Sequence, residues 1–197
     1  MATRAALGCK LHTGWAMLVA LAGQPGAIEV LFRGRIELLP LDESIPRFIY
    51  HEAAEMSLAR AAEFVKRARE ASQKAARPAI KDVLRELDSR GARAKVCGVL
   101  LGSTQVPGDL SRILGSHPLI HAAEGALFQQ AIVSACENCG LSVKAVRERE
   151  VWSQAAEAWA LAEPELRKEV DAARTIVGAP WNADHKSAAA IALLALR

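Results

Sequence analysis

The sequence predicts a single α/β domain in which helices cover both faces of a mixed sheet. Three observations support this prediction. The first 39 residues contain apolar runs separated by turn signals, a continuous apolar run follows at 94–102, and segments of helical periodicity alternate with the later strands. The order β-β-β-α-β-α-β-α combines a three-stranded antiparallel meander with two parallel strands, because each later strand is reached through a helix.

The composition fits one domain over residues 1–197 with its own core. The chain is 51% hydrophobic and 24% charged, which excludes a disordered protein. Its four cysteines are too few for a disulfide-stapled secreted scaffold, so we expect a cytoplasmic protein. The N-terminus imitates a signal peptide, but Lys10 and His12 interrupt it and the apolar run at 15–22 is too short to cross a bilayer. We therefore expect no membrane partner.

The meander is predicted from the turns between its apolar runs. Residues 5–11 and 15–22 are separated by a His-Thr-Gly turn, and Gly-Gln-Pro-Gly at 23–26 precedes the alternating strand 27–39. Gly34 interrupts the alternation, which predicts a bulge or bend at that position.

A long helical insertion is expected at about 48–91. Its periodicity predicts a helix at 48–72 and a second helix that begins at Pro78 and ends near Ser89. Further elements are predicted as helices at 120–139, 151–162, 165–177 and 183–197 and a strand at 141–146. The last helix is rich in Ala and Leu, so its surface must be packed.

Positive charge is concentrated in the helical insertion. Arg60 to Lys95 contains eleven Lys or Arg and five acidic residues, a net charge of +6, against −3 for the rest of the chain. Such a segment can follow a phosphate backbone. A solvated helix face is the favoured interpretation, because few aromatic residues are present there to stack on bases.

Three stretches follow one family pattern in order along the chain: GCKLHTGWA at 8–16, AAEGA at 122–126 with GLSV at 140–143, and DHKSAAAIA at 184–192. They resemble the first strand, the middle helix with its following strand, and the last helix of the Holliday-junction resolvase branch of the ribonuclease H-like superfamily. The resemblance implies a ribonuclease H-like fold, which agrees with the predicted element order.

The resemblance also implies chemistry for which most residues are missing here. Resolvase-type nucleases hold two metal ions with carboxylates on the first strand, at the end of the fourth strand and on the last helix. In this sequence the first strand carries Lys10, the fourth ends at Gly102-Ser103, and Asp184 is the one match. One carboxylate near a lysine does not hold a pair of Mg²⁺ ions. A divalent metal cofactor and a standard two-metal nuclease are therefore not favoured.

In a ribonuclease H-like fold the matching segments meet at one edge of the sheet, where open α/β sheets bind ligands. We expect the side chains that converge there to bind an anion such as a phosphate or nucleotide: Lys10, Thr13, Ser103 and Lys186. An ion pair between Lys10 and Asp184 that fills a vestigial site is an equal alternative.

The histidines form a second constellation. His117, His121 and Glu124 can face one direction on a helix, and two histidines with a carboxylate suit zinc or iron. The proline after His117 weakens this geometry, because it favours a position before the helix. His51 and Glu55 repeat the pattern one turn apart. Capping and local helix pairs explain such residues more often than metal binding does.

The cysteines predict no reactive site. Cys136 and Cys139 form a C-x-x-C pair, but the pair ends a helix, where the helix dipole does not favour a thiolate. A structural zinc would need two more ligands. Cys9 and Cys97 lie in strand-like runs and are interpreted as buried small hydrophobes.

Three classes of function remain open from the sequence. The leading interpretation is a non-catalytic binding module for nucleic acid or a phosphorylated ligand. The alternative is a divergent metal-dependent nuclease or phosphoryl hydrolase, with His12, Glu124 and Asp184 as catalytic residues. The third is a homodimeric interaction protein that uses the apolar last helix or the first strands as its interface.

Overall fold

A computed structural model, which describes residues 1–42 and 44–197, contains one five-stranded mixed sheet in the order β3-β2-β1-β4-β5. The strands are β1 (Thr3–His12), β2 (Trp15–Gln24), β3 (Ala27–Glu37), β4 (Ala92–Leu101) and β5 (Ser142–Arg147). The first three pair antiparallel, whereas β4 runs parallel to β1 and to β5. The predicted meander with two parallel strands is confirmed.

Helices cover both faces of the sheet. They are α1 (Ile49–Ala54), α2 (Leu58–Ser89), α3 (Leu110–Leu114), α4 (His117–Asn138), α5 (Val151–Ala158), α6 (Glu163–Ala172), α7 (Arg174–Val177) and α8 (Ala183–Leu196). Side chains alternate along each strand between the two faces. On β1, Leu7 and Cys9 pack toward α2 and α4, whereas Ala6 packs toward α5 and α8. The protein thus has two hydrophobic layers with the sheet between them.

In the helical insertion, the interruption between the two helices lies at a different position from the predicted one. The first helix ends at Ala54, so Glu55 lies beyond it and does not form a one-turn pair with His51 inside a helix. The predicted start at Pro78 is wrong, because Pro78 lies inside the continuous 32-residue helix α2. An interior proline costs about 3 kcal/mol in an α-helix. Buried residues on both sides of it, including Ala76 and Ile80, provide packing that outweighs this cost.

Two smaller predictions also need correction. The register shift between β2 and β3 lies at Leu31, between the pairs Ala20 with Phe32 and Leu21 with Val30, and not at Gly34. Gly34 is a regular ladder residue, and its missing side chain leaves room for the Phe32 ring, which a Cβ would approach to 2.9 Å. The segment predicted as one helix at 165–177 is divided between α6 and α7, and the short helix α3 was not predicted.

The last helix lies directly on the middle of the sheet because glycines leave room for its backbone. A Cβ on Gly8 of β1 would lie 1.9 Å from the Ala188 carbonyl oxygen, and one on Gly98 of β4 would lie 2.5 Å from Ile191. Residues 188–196 of α8 are all buried. The expectation that this apolar helix forms a dimer interface is therefore wrong, because its surface is covered by the protein's own sheet and by α5.

Within the part of the chain that the structure describes, none of the helices combines the length and the apolar character needed to cross a bilayer.

Candidate functional site

A cleft of about 670 Å³ lies at the carboxyl ends of β1, β4 and β5. Because these three strands run in the same direction, residues that end or follow them meet at one edge of the sheet. Its polar lining includes Lys10 from β1, Ser103 from the loop after β4, Arg147 and Glu148 after β5, and His121 from α4. Two of the four predicted anion ligands, Lys10 and Ser103, thus share this sheet-edge cleft.

The other two predicted anion ligands lie elsewhere. Thr13 is in the turn between β1 and β2 and lines a separate depression with Trp15 and Arg35. Its carbonyl oxygen accepts a hydrogen bond of 2.7 Å from Nε of Arg47. Lys186 is on α8, and its Nζ lies 2.8 Å from a carboxylate oxygen of Asp171. The structure therefore does not bring all four residues into one site.

Lys10 forms an ion pair with Glu148 at the wall of the cleft. The lysine side chain is 17% exposed and the glutamate is 47% exposed, so the pair is open to solvent on its acidic side. The predicted ion pair between Lys10 and Asp184 is wrong. Glu148 is the partner because β5 lies beside β4, and the residue after β5 therefore reaches the same edge as Lys10.

Asp184 instead contacts His12, with 3.0 Å between Oδ1 of the aspartate and Nε2 of the histidine. The His12 ring stacks on Trp15, with 4.1 Å between centroids and 7° between planes. Of the three predicted catalytic residues, these two are brought together. The third, Glu124, makes its hydrogen bonds to α1.

The charge of the cleft is more balanced than the sequence predicts. Two cations, Lys10 and Arg147, line it together with the anion Glu148. Arg147 and Glu148 are not among the residues predicted for this site, although they directly follow the predicted strand 141–146. Charged residues that directly follow a parallel strand lie at the ligand-binding edge of the sheet.

The start of α8, which carries Asp184, is fixed by two neighbouring residues. Asn182 caps the helix, and its Oδ1 accepts hydrogen bonds from the backbone N–H groups of Asp184 and His185 at 3.1 and 3.3 Å. Before it, the Arg33 guanidinium donates hydrogen bonds to the carbonyl oxygens of the loop 177–180. Burial lowers the pKa of His185, and the nearby Arg33 charge lowers this pKa further. Both effects favour the neutral form of His185, and the neighbouring Asp184 charge opposes them.

Three histidines form a cluster on the side of the sheet that α2 and α4 cover. Because α4 begins at His117, His117 and His121 lie one turn apart on the same side of the helix, and α1 brings His51 beside them. One ring nitrogen from each histidine lies within 4.8 Å of the other two. The ring centroids are 4.5 to 5.6 Å apart. This three-histidine cluster contains two of the residues predicted as metal ligands.

Glu124, the third predicted metal ligand, lies behind the cluster. Its side chain is 3% exposed, and Oε1 lies 3.3 Å from Nδ1 of His51. The same oxygen accepts a hydrogen bond of 2.7 Å from the backbone N–H of Tyr50. Burial raises the pKa of Glu124, and the hydrogen bonds from Tyr50 and His51 oppose this rise. The carboxylate therefore orients His51 and the start of α1. The sequence pattern pairs His51 with Glu55 and does not by itself indicate that His51 lies beside His117 and His121.

Basic side chains of α2 line a second groove, of about 530 Å³, between α2, α4 and the loop before α3. Lys66 and Arg69 line this groove directly. Further along α2, Arg77 and Lys81 lie close enough to Cys139, at the end of α4, to oppose the rise in its pKa that burial causes. We call these four cations, Lys66, Arg69, Arg77 and Lys81, the α2 stripe. Ala126 of α4 lines both the groove and the sheet-edge cleft, so the two depressions adjoin.

The sequence matches no protein-family model and no curated protein. Among solved structures, the chain is similar to Thermus thermophilus RuvC, with a TM-score of 0.52 and 15% identity over 96% of this chain and 92% of that chain. It is equally similar to T. thermophilus RuvC in complex with a Holliday junction substrate, with a TM-score of 0.52 and 15% identity over 97% and 91% of the chains. The ribonuclease H-like fold and the resemblance to the resolvase branch are confirmed at the level of fold.

Proposed function

We propose that this chain is a single-domain nucleic-acid-binding protein that uses the ribonuclease H-like fold to bind a phosphate backbone and does not cleave it by a two-metal mechanism. The observation that carries the proposal is the α2 stripe of Lys66, Arg69, Arg77 and Lys81. Lys66 and Arg69 line the groove that adjoins the sheet-edge cleft, and Arg77 and Lys81 continue the row of cations along α2 toward Cys139.

The dimensions of the stripe suit a duplex. From Lys66 to Lys81 the helix rises roughly 22 Å, which is about six base-pair steps at 3.4 Å each. At its Lys66 end the stripe lines the groove that adjoins the cleft, where Arg147 adds a further cation. Contacts of this kind release counterions from nucleic acid and produce binding that weakens steeply with salt.

The residues at the sheet edge support binding rather than two-metal cleavage. Lys10 stands on β1 and is paired with Glu148, and the loop after β4 begins with Gly102 and Ser103. A magnesium pair needs several hard oxygen ligands in one place. Here the one acidic residue that lines the described cleft, Glu148, is engaged by a lysine.

A binding experiment tests the proposal. One of the similar structures contains a Holliday junction substrate, so a four-way DNA junction is the first ligand, with duplex and single-stranded DNA beside it. Fluorescence anisotropy is measured in EDTA over a salt series. We expect the affinity to fall with salt, and the quadruple variant K66Q/R69Q/R77Q/K81Q to reduce the slope of log K against log salt by roughly one per lost contact.

The matched control removes the same charge from other exposed positions, in the variant R60Q/R67Q/R85Q/K168Q. Equal losses in the two variants, or binding that does not respond to salt, would show that the α2 stripe is not the binding surface. No measurable binding to any of the three DNA ligands would refute the proposal.

The enzymatic alternative is tested separately with the same junction and Mg²⁺ or Mn²⁺. We expect the junction to remain uncut. Cleavage that disappears in the variants Asp184→Asn and His12→Gln would favour the divergent nuclease instead.

A further inference from the structure

We propose that His51, His117 and His121 bind a zinc ion, with Glu124 orienting His51 from behind. The three ligands lie on α1 and α4, away from the first strand, the end of the fourth strand and the last helix, where resolvase-type nucleases hold their metal ions. The proposal does not depend on nucleic-acid binding.

The backbone already places the three ligands for one ion. His117 and His121 are separated by one turn of α4, and His51 comes from α1, so two elements approach the ion from different sides. The candidate ligand atoms lie within 4.8 Å of one another. Tetrahedral zinc with Zn–N bonds of about 2.0–2.1 Å places its ligands roughly 3.4 Å apart. His117 and His121 are exposed, so no buried packing opposes the rotation of their side chains toward this shorter spacing.

The buried carboxylate is a second, independent observation. Metal-binding histidines commonly pair their other ring nitrogen with a carboxylate, which fixes the ring and its tautomer. Glu124 makes this contact with Nδ1 of His51 and leaves Nε2 as the ligand atom. Its second oxygen, Oε2, is buried without a hydrogen-bond partner among the described residues. A buried carboxylate requires compensating positive charge. A zinc ion bound on the opposite side of the His51 ring would provide this charge and stabilise the Glu124 carboxylate.

The ligand set selects the metal. Three imidazoles suit zinc and related transition metals and do not suit Mg²⁺ or Ca²⁺, which prefer oxygen. Three protein ligands leave the fourth position of a tetrahedral ion open to water or an anion. His121 also lines the sheet-edge cleft, so the ion lies at the rim of that cleft.

The experiment uses the full chain without a polyhistidine tag, stripped with EDTA and returned to chelator-free buffer. Calorimetric titration with Zn²⁺ is expected to give one site per chain. Titration with Co²⁺ is expected to give the visible absorption of a tetrahedral nitrogen-ligated ion. His117→Ala and His121→Ala change exposed side chains and are expected to weaken Zn²⁺ binding by at least about a hundredfold. Glu124→Gln is expected to weaken it by about ten- to a hundredfold.

His12→Ala is the matched control, because it removes a histidine outside the cluster. Thermal unfolding with and without Zn²⁺ provides a second readout. The ion should raise the Tm of the wild-type chain and of His12→Ala, but not that of His121→Ala. The proposal is refuted if the wild-type chain takes up no stoichiometric zinc, if His117→Ala and His121→Ala bind zinc as the wild type does, or if His12→Ala loses it.

Discussion

Asp184 at the start of α8 contacts His12 at the end of β1, with 3.0 Å between Oδ1 and Nε2. This contact joins the last helix to the first strand at the edge of the sheet. It also explains why the aspartate is not paired with Lys10, whose partner is Glu148. Asp184 and Lys10 therefore each contact another charged or titratable side chain of this chain.

The contact between His12 and Asp184 is expected to contribute little to stability. The two side chains are 32% and 25% exposed, and Nε2 of His12 does not form a hydrogen bond of normal geometry with the aspartate. Partly exposed ion pairs are typically worth less than about 1 kcal/mol. A double-mutant cycle of His12→Gln and Asp184→Asn, measured by urea unfolding, isolates the pair from the helix-dipole effect of Asp184. A coupling energy above about 2 kcal/mol would contradict this prediction.

Replacement of Gly8 is expected to disrupt the packing of α8. In Gly8→Ala the new Cβ would lie 1.9 Å from the Ala188 carbonyl oxygen, and backbone atoms cannot rotate away. We expect a loss of about 3 kcal/mol or more in the free energy of unfolding. Gly125→Ala is the control, because a Cβ there meets nothing within 4 Å. Within α4 it should stabilise the protein by roughly 0.5–1 kcal/mol. Equal effects in the two variants would be inconsistent with the close approach of α8.

His185 is expected to make stability depend on pH. Its pKa is lowered in the folded protein by burial and by Arg33. The unfolded chain therefore binds a proton more readily, and stability is lost as the pH falls below about 6.5. We predict that chemical unfolding between pH 8 and 5 shows a smaller loss in His185→Gln than in the wild type. Parallel curves for the two proteins would show that His185 is not responsible.

The four thiols are expected to differ in reactivity. Cys9, Cys97 and Cys136 are buried, whereas Cys139 is partly exposed. Burial raises the pKa of Cys9, and a hydrogen bond with Cys136 together with burial raises that of Cys97. A thiol-disulfide reagent should therefore label one cysteine in the folded protein and all four in urea. Cys139→Ser should remove the native-state reaction, and persistent labelling of that variant would contradict this assignment.

The strands were predictable because their signals are local. Apolar runs bounded by Gly-rich turns located the three meander strands, and the run before Gly102 located β4. The helix α2 was not predictable in the same way, since Pro78 is a local stop signal that tertiary packing overrides. The bulge at Leu31 depends on how β2 and β3 pair, which no single strand encodes.

The candidate sites were predictable in part. The topology placed Lys10 and Ser103 at one edge of the sheet, but Lys186 extends to Asp171 instead. The histidine pattern on α4 was visible in the sequence. The third histidine was not assigned to it, because His51 precedes His117 by 66 positions and only the packing of α1 on α4 brings them together.

The location of α8 has a consequence for folding. β1 precedes the other four strands in the sequence and lies in the centre of the sheet, whereas α8, the helix that packs on it, follows all five strands. Until α8 has packed, that apolar face of the sheet lacks the helix that covers most of it. Contacts between such distant parts of a chain slow folding. A folding intermediate in which α8 is not yet docked therefore exposes apolar strand surface, which is the kind of surface that promotes aggregation.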